Sequence, residues 1–247
     1  MKRRRMLAIG LGAYLLALIA MAPATLADAG MQHASNGRLR LTEPSGTLWF
    51  GAGQVEIRDA DGQTGFASPL SWRFRPGDLF RGRLAYEVVS GSGTRPFSVA
   101  VFWSRIELAN ADVSVPAAAL GLGLIKLASL ELTGNVNLRI PKLVIRSSTL
   151  QGSATLEWRA AGSALAPVSP LGDYMLRLET AGPEIRAILE TIKGPLQLRG
   201  HGSWTHGHVP AFVATAHIPP NFRQQLAPFL RLIAVERSDE SFELQFK

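Results

Sequence analysis

Leu132-Thr133-Gly134-Asn135-Val136-Asn137-Leu138-Arg139-Ile140-Pro141 alternates apolar and polar side chains. Leu132, Val136, Leu138 and Ile140 share one side of an extended chain, while Thr133, Asn135, Asn137 and Arg139 share the other. A helix of 3.6 residues per turn would scatter both sets. Pro141 breaks the run and the apolar phase moves to Leu143 and Ile145, which predicts a bulge or a change of strand.

The same period of two recurs in both directions from this stretch. Upstream it appears at Leu70, Trp72 and Phe74, at Leu84, Tyr86 and Val88, and at Val99, Val101 and Trp103. Downstream it appears at Ala154, Leu156 and Trp158, at Tyr174, Leu176 and Leu178, and at Leu196 and Leu198. Phe212, Ala214, Ala216 and Ile218, then Phe242, Leu244 and Phe246, complete the series. Polar positions between them, such as Arg73, Glu157, Arg177 and Arg199, mark a wet face, which favours antiparallel over doubly covered parallel sheet. Ile185, Ala187, Leu189 and Thr191 read as a further strand.

Helical signals are few. Val115 to Ser129 opens with Pro116 and three alanines, but Gly121 and Gly123 limit it to a short helix. Asn221 has Gln224 three residues on, as in a capping box, and Phe222, Leu226, Phe229, Leu230 and Ile233 line one side of the helix it would start. Gly91-Ser92-Gly93 reads as a hairpin loop and 160–170 as a longer surface loop. No Ser/Gly-rich linker divides the chain. One domain of about a dozen strands accounts for these patterns.

The N-terminus has a different character. Lys2, Arg3, Arg4 and Arg5 precede an uncharged run from Met6 to Ala27, in which Met6, Leu7, Leu11, Tyr14, Leu15, Leu18, Ile19 and Met21 supply the bulk. The basic cluster holds that end on the cytoplasmic side, so the remainder is delivered across a membrane. Twenty-two uncharged residues suffice for a helical span. Ala27-Asp28-Ala29 has the small-x-small form of a cleavage site, so an anchor and a signal peptide both fit. The expected division is a basic tail (1–5), a transmembrane or signal-like segment (6–27) and an exported domain (28–247). The predicted fold class is mainly β, with curved antiparallel sheets and one or two short helices, preceded by a single N-terminal transmembrane helix.

Composition narrows the chemistry. The chain has no cysteine, which excludes disulfides, thiolate metal sites and thiol redox reactions. Its formal charge is +7. Without the four basic residues at the front, 22 Lys and Arg face 19 Asp and Glu, too even a balance for a nucleic-acid-binding surface. His201, His206 and His208 cluster, and imidazoles can hold zinc or copper. Gly202, Gly207 and Pro210 make that segment a hairpin turn, and no Asp or Glu lies between Glu190 and Glu236, so no metal is expected there. His33 and His217 stand apart from them. Asp59-Ala60-Asp61-Gly62 reads as a turn without the remaining ligands of a calcium loop. Ser45-Gly46-Thr47 lacks the form of a nucleophile elbow. No catalytic residue and no cofactor is expected. Trp49, Trp72, Trp103, Trp158 and Trp204 read as core and strand-end packing, with an apolar groove as the other use of such side chains.

The ordered landmarks resemble those of the type II secretion system protein N family. Gly46-Thr47-Leu48-Trp49 is similar to its opening, and Trp72 running to Pro76 to its second landmark. Pro116 and Gly134 resemble its middle, and Gly152, Trp158, Gly172 and Tyr174 the following part. Gly194-Pro195-Leu196-Gln197-Leu198-Arg199-Gly200 resembles the strand near its end. His206-Gly207 stands where the family usually has Asp-Gly or Asn-Gly. The resemblance implies a non-enzymatic accessory component of the machine that exports folded proteins. It implies one inner-membrane span, a periplasmic domain, and contacts with other inner-membrane and periplasmic components. It also favours the anchor over the cleaved peptide. An envelope lipid-handling protein, with a lipid in an apolar groove between curved sheets, is the alternative. A continuous groove would favour lipid, and a packed core with exposed strand edges would favour protein contacts.

Overall fold

Antiparallel pairing between chain neighbours organises the molecule. The computed structural model describes residues 2–58, 64–91, 95–123, 129–146, 149–205, 211–238 and 241–246. Strands β1 (Leu39–Gly46), β2 (Phe50–Arg58), β3 (Thr64–Phe74), β4 (Leu84–Ser90), β5 (Phe97–Val101), β6 (Arg105–Pro116) and β7 (Leu132–Arg146) follow one another across the sheet. They continue as β8 (Leu150–Ser163), β9 (Gly172–Ala181), β10 (Glu184–Lys193), β11 (Gln197–Thr205) and β12 (Phe212–His217). Only at the end does the order change, with β14 (Ser241–Phe246) inserted between β12 and β13 (Val235–Ser238).

Paired positions keep the apolar side chains on one face through this meander. Trp72 lies opposite Val88, Val88 opposite Phe97, Val99 opposite Leu108 and Leu108 opposite Leu143. Further on, Val136 faces Trp158, Trp158 faces Tyr174 and Leu176 faces Leu189. The phase change at Pro141 is a bulge within one strand: from Arg139 to Lys142, β7 advances three residues while β8 advances two, from Thr155 to Ser153. β6 stays in step with β7, and Asn110 takes a positive φ of 58° at the same height. Both strands therefore shift phase together, and Leu108, Leu143, Val113 and Leu138 end on the same face. Gly152 is the residue opposite Leu143, with φ 143° and a Cβ position that would collide with the Lys142 carbonyl oxygen.

Three clusters cover this inner face. Helix α2 (Thr25–Ala34) presses Ala24, Ala27 and Met31 against Leu41, Trp72 and Val88. Ala117 and Leu120, at and within the short helix α3 (Ala118–Gly123), meet Leu132, Val136 and Trp158. Helix α4 (Arg223–Ile233) buries Leu226, Phe229 and Leu230 against Leu196, Ala216, Ile218 and Phe242. Asn221 lies in a 3-10 turn, Pro220–Phe222, and α4 starts at Arg223 with no side-chain cap. The capping box is therefore not formed, and the apolar stripe alone places the helix.

Two expectations are corrected. The architecture is a mixed α/β domain on one continuous open sheet, in place of a mainly β set of curved sheets; the sheet is neither strongly curled nor closed. Helices occupy the inner face where a second sheet would stand, and each strand joins its neighbour sideways, so nothing separates into a second layer. The other correction concerns the front. Among the described residues no helix is long and apolar enough to cross a membrane, so the single-pass inner-membrane topology, with its transmembrane helix, is not supported. Helix α1 (Lys2–Ala20) begins with the four basic residues Lys2 to Arg5 and ends before Pro23. Its apolar part, 6–20, rises only about 22 Å against a hydrocarbon core of about 30 Å. The uncharged run is broken because Ala22 and Ala24 are buried in the domain and Pro23 bridges to Thr47.

Leu226 is fully buried under α4, whereas Leu232 on the same helix is 73 % exposed. Leu226→Ala is expected to lower unfolding stability by about 2–5 kcal/mol in urea titration. Leu232→Ala should stay within about 0.5 kcal/mol of the parent. Equal effects would mean that α4 does not hold this cluster.

Candidate interaction surface

His201 is exposed on β11, opposite Ile188 on one side and Val213 on the other. His206 and His208, like Asp59 and Asp61, lie outside the described residues. Among the described residues no group of His, Asp and Glu could hold a metal ion. The carboxylates are instead spent on arginines. Arg159 pairs with Glu157 at 2.9 Å, Arg186 with Glu184 at 3.1 Å and Arg237 with Glu243 at 2.7 Å, on the outer surface.

The landmark residues serve backbone geometry. Gly46 has φ 87°, and its Cβ position would strike the Phe50 carbonyl oxygen, so the tight β1–β2 turn requires glycine there. Thr47 Oγ1 accepts the Phe50 amide at 3.3 Å in that turn. Trp72 Nε1 donates to the Leu48 carbonyl at 3.1 Å, and Trp49 Nε1 donates to the Ile19 carbonyl at 2.8 Å, which ties the end of α1 to the turn. Pro76 opens a 3-10 turn (Pro76–Arg81) and Pro116 ends β6. Trp158 is half-buried, donates from Nε1 to the Thr133 carbonyl at 2.9 Å and meets the Tyr174 ring at 6.1 Å. Tyr174 is buried and its hydroxyl donates to the Leu196 carbonyl at 3.0 Å; burial, and then the neighbouring Asp173 charge, push the phenol above its ordinary range. Gly134, Gly152, Gly172, Gly194 and Gly200 all sit where a Cβ would meet a neighbour closely, and Pro195 precedes the buried Leu196. Trp103 departs from the packing role: β5 stops at Val101, and the Trp103 side chain stands fully in solvent.

Both sheet edges are protected. At β1 the outward amides are taken by α2 and the residue that follows it. Leu41 N–H donates to Asp28 Oδ1 at 2.8 Å, and Leu39 N–H to Ser35 Oγ at 2.9 Å. Beyond them Glu43 turns to positive φ and Pro44 has no amide. At the far edge β13 has four residues, including charged Glu236 and Arg237. Short, charged or capped edges resist strand addition.

The outer face of β10–β12 remains available. Ile188, His201 and Val213 are directly opposite one another there, with Ile188 and Val213 49 % and 40 % exposed. Ile192 continues the row on β10 and borders a surface cavity of about 730 Å³, also lined by Glu190, Lys193, Gln197 and Arg199. Alternation marks the inward set of each strand, so it does not by itself mark this patch. Its signal was present in Ile188 and Ile192, which fall between the inward residues of the same strand.

The described sheet is open, with one face carrying helices and both edges protected. The family model for type II secretion system protein N matches residues 37–245, and the chain belongs to that family. No curated protein and no solved structure was found to match it. As a member, the protein is a component of the type II secretion system and a scaffold or adaptor rather than an enzyme.

Asp28 gives the edge protection a pH signature. Burial pushes its carboxyl up, but the Leu41 amide, the Arg40 guanidinium and the Gln32 amide outweigh this and hold it below its ordinary value. A pKa depressed by folding contributes stability that is complete above the unfolded pKa and lost as pH falls through the folded one. The parent should therefore exceed Asp28→Asn in urea resistance at about pH 7, with the gap closing below about pH 4. Hydrogen exchange at the Leu41 amide should quicken in the variant. A gap that persists undiminished in acid would mean the Asp28 charge is not what holds β1.

Proposed function

We propose that the protein serves the secretion machine as a periplasmic scaffold, engaging other components through the outer face of β10–β12. The observation that carries this reading is the exposed Ile188–His201–Val213 row, which adjoins the arginine–carboxylate pairs Arg186–Glu184 and Arg177–Glu190 on the same face. An apolar centre with a charged rim is the usual composition of a protein contact. Lys193, Arg199 and Glu190 supply the rim, and the adjoining cavity accommodates a partner's side chain. The protected edges argue against strand addition as the mode of contact, so side chains on a preformed face carry recognition. The clusters of the inner face are divided among α2, α3 and α4.

A photo-crosslinking residue placed at Ile188 or Val213 in cells with a working secretion machine should capture machine components. The same residue at Arg139, on the ion-paired part of the outer face, should capture little. Ile188→Glu combined with Val213→Glu should reduce secretion while protein level and urea midpoint stay unchanged. Normal secretion in that variant, with no position-dependent crosslinks, would overturn this assignment of the contact.

A further inference from the structure

Antiparallel order sends alternate connections to opposite ends of the sheet. The β1–β2 turn, the β3–β4 connection (75–83) and the β5–β6 turn (102–104) all lie at one end, where β7 also finishes at Arg146. Neighbouring hairpin tips along that end are about 10 Å apart. This end carries Trp103 and Phe80, 104 % and 96 % exposed, the two most exposed large hydrophobic residues among those described. Leu79 beside Phe80 is also exposed.

The apolar inner face opens toward the same end. Leu84 is paired with Val101, Val101 with Ile106 and Ile106 with Ile145, a row across four adjacent strands. All four are exposed to 36–42 %, and neither α2, α3 nor α4 includes them in its cluster. The end is also basic. Arg73, Arg75, Arg81, Arg83, Arg105 and Arg146 stand around these connections with only Asp78, Glu87 and Glu107. Asp78 is shared by Arg83 and Arg81, Glu87 is paired with Arg75, and Glu107 with Arg105. Arg105 also lies 3.9 Å over the Phe102 ring. At the opposite end the β8–β9 connection carries the exposed Leu165.

We propose that this end of the sheet is a bilayer-docking surface, with Phe80 and Trp103 entering the interfacial region of an anionic phospholipid membrane. Aromatic side chains favour the headgroup level, and arginines around them add attraction to anionic lipid. The row Leu84–Val101–Ile106–Ile145 lies behind the two tips and loses water when they dock. Helix α1 leaves the domain from this end, where Trp49 and Leu48 hold the chain at Ile19 and Ala22, so its exposed apolar surface is joined to the same side. The contact is one of surface seating and needs no spanning segment. It is separate from the β10–β12 contact, which lies on the outer face.

The cysteine-free chain permits a direct test. Full-length Phe80→Cys, Trp103→Cys and Leu165→Cys variants, each labelled with a polarity-sensitive fluorophore, are mixed with phosphatidylethanolamine/phosphatidylglycerol vesicles containing a spin-labelled quencher lipid. Phe80 and Trp103 make no buried contacts to lose, and circular dichroism confirms that each labelled variant is folded. A blue shift and quenching at 80 and 103, absent at 165 and reduced by high salt or by replacing phosphatidylglycerol with phosphatidylcholine, is the expected result. Water-like, unquenched probes at 80 and 103 would overturn the proposal and leave these residues to a protein partner. Equal quenching at all three sites would overturn it as well, because α1 alone would then be bringing the chain to the bilayer without orienting it. Quenching that ignores lipid charge and salt would remove the anionic part of the claim.

Discussion

Side inheritance across hydrogen-bonded strands is the constraint on which the structure depends. Each strand of the meander takes its inward and outward positions from the strand before it, so a one-residue slip would turn every later strand over. The danger is greatest at β6 and β7, where the apolar phase changes from even to odd numbers within single strands. Asn110 and the stretch around Pro141 absorb the extra residue at one height in both strands, and the pairing of β5 with β6 starts only past that height, at Ser98 and Ala109. Beyond that point β8 keeps a single phase from Leu150 to Trp158. The inner face of β9–β12 and β14 therefore continues that of β1–β5, although the two are never in contact.

An open sheet built this way has one face to cover and two edges to silence. The covering is done piecemeal by α2, α3 and α4, each burying only the strands nearest to it. Local covering suits a long meander, because no single helix could reach across so many strands at about 4.8 Å each. Edge protection uses different physics at the two sides. Asp28 and Ser35 satisfy the outward amides of β1, while β13 is simply too short and too charged to template another strand. Asp28 thus ties α2 to β1 through Leu41 and Arg40 while Gln32 steadies it within α2, and its charge matters more than its modest burial suggests.

Much of the strand content was legible in the sequence because alternation is a local property. The inward residues of β7 could be read off before pairing was known, and the stripe of Leu226, Phe229 and Leu230 marked the helix that covers the far strands. The illegible parts depended on distance or length. Asn221 and Gln224 had capping chemistry, but the chain needed a 3-10 turn at Pro220 to bring α4 over Phe242. Twenty-two uncharged residues looked like one span, yet burial of Ala22 and Ala24 claimed the last part of the run for the domain. Trp103 fitted an alternating series by number, but pairing with β6 ended β5 two residues earlier. Of the contact surfaces, Ile188 and Ile192 were visible as out-of-phase residues. Phe80 and Trp103 gained meaning only when topology placed their connections at one end.

That topology also separates two kinds of contact without a second domain. Turn ends and sheet faces point in perpendicular directions, so a membrane seated against the Phe80 and Trp103 tips leaves the β10–β12 face directed sideways. The face also lies well along the sheet from those tips, since β6 and β10 are four strand spacings, about 19 Å, apart. That distance exceeds the roughly 8 Å over which exposed charges act at physiological salt. The arginines at the turn end therefore do not set the charge preference of the β10–β12 contact, and Lys193, Arg199 and Glu190 set it locally. One rigid sheet can then hold a bilayer and a protein partner at once, with each surface open to change by substitution without disturbing the other.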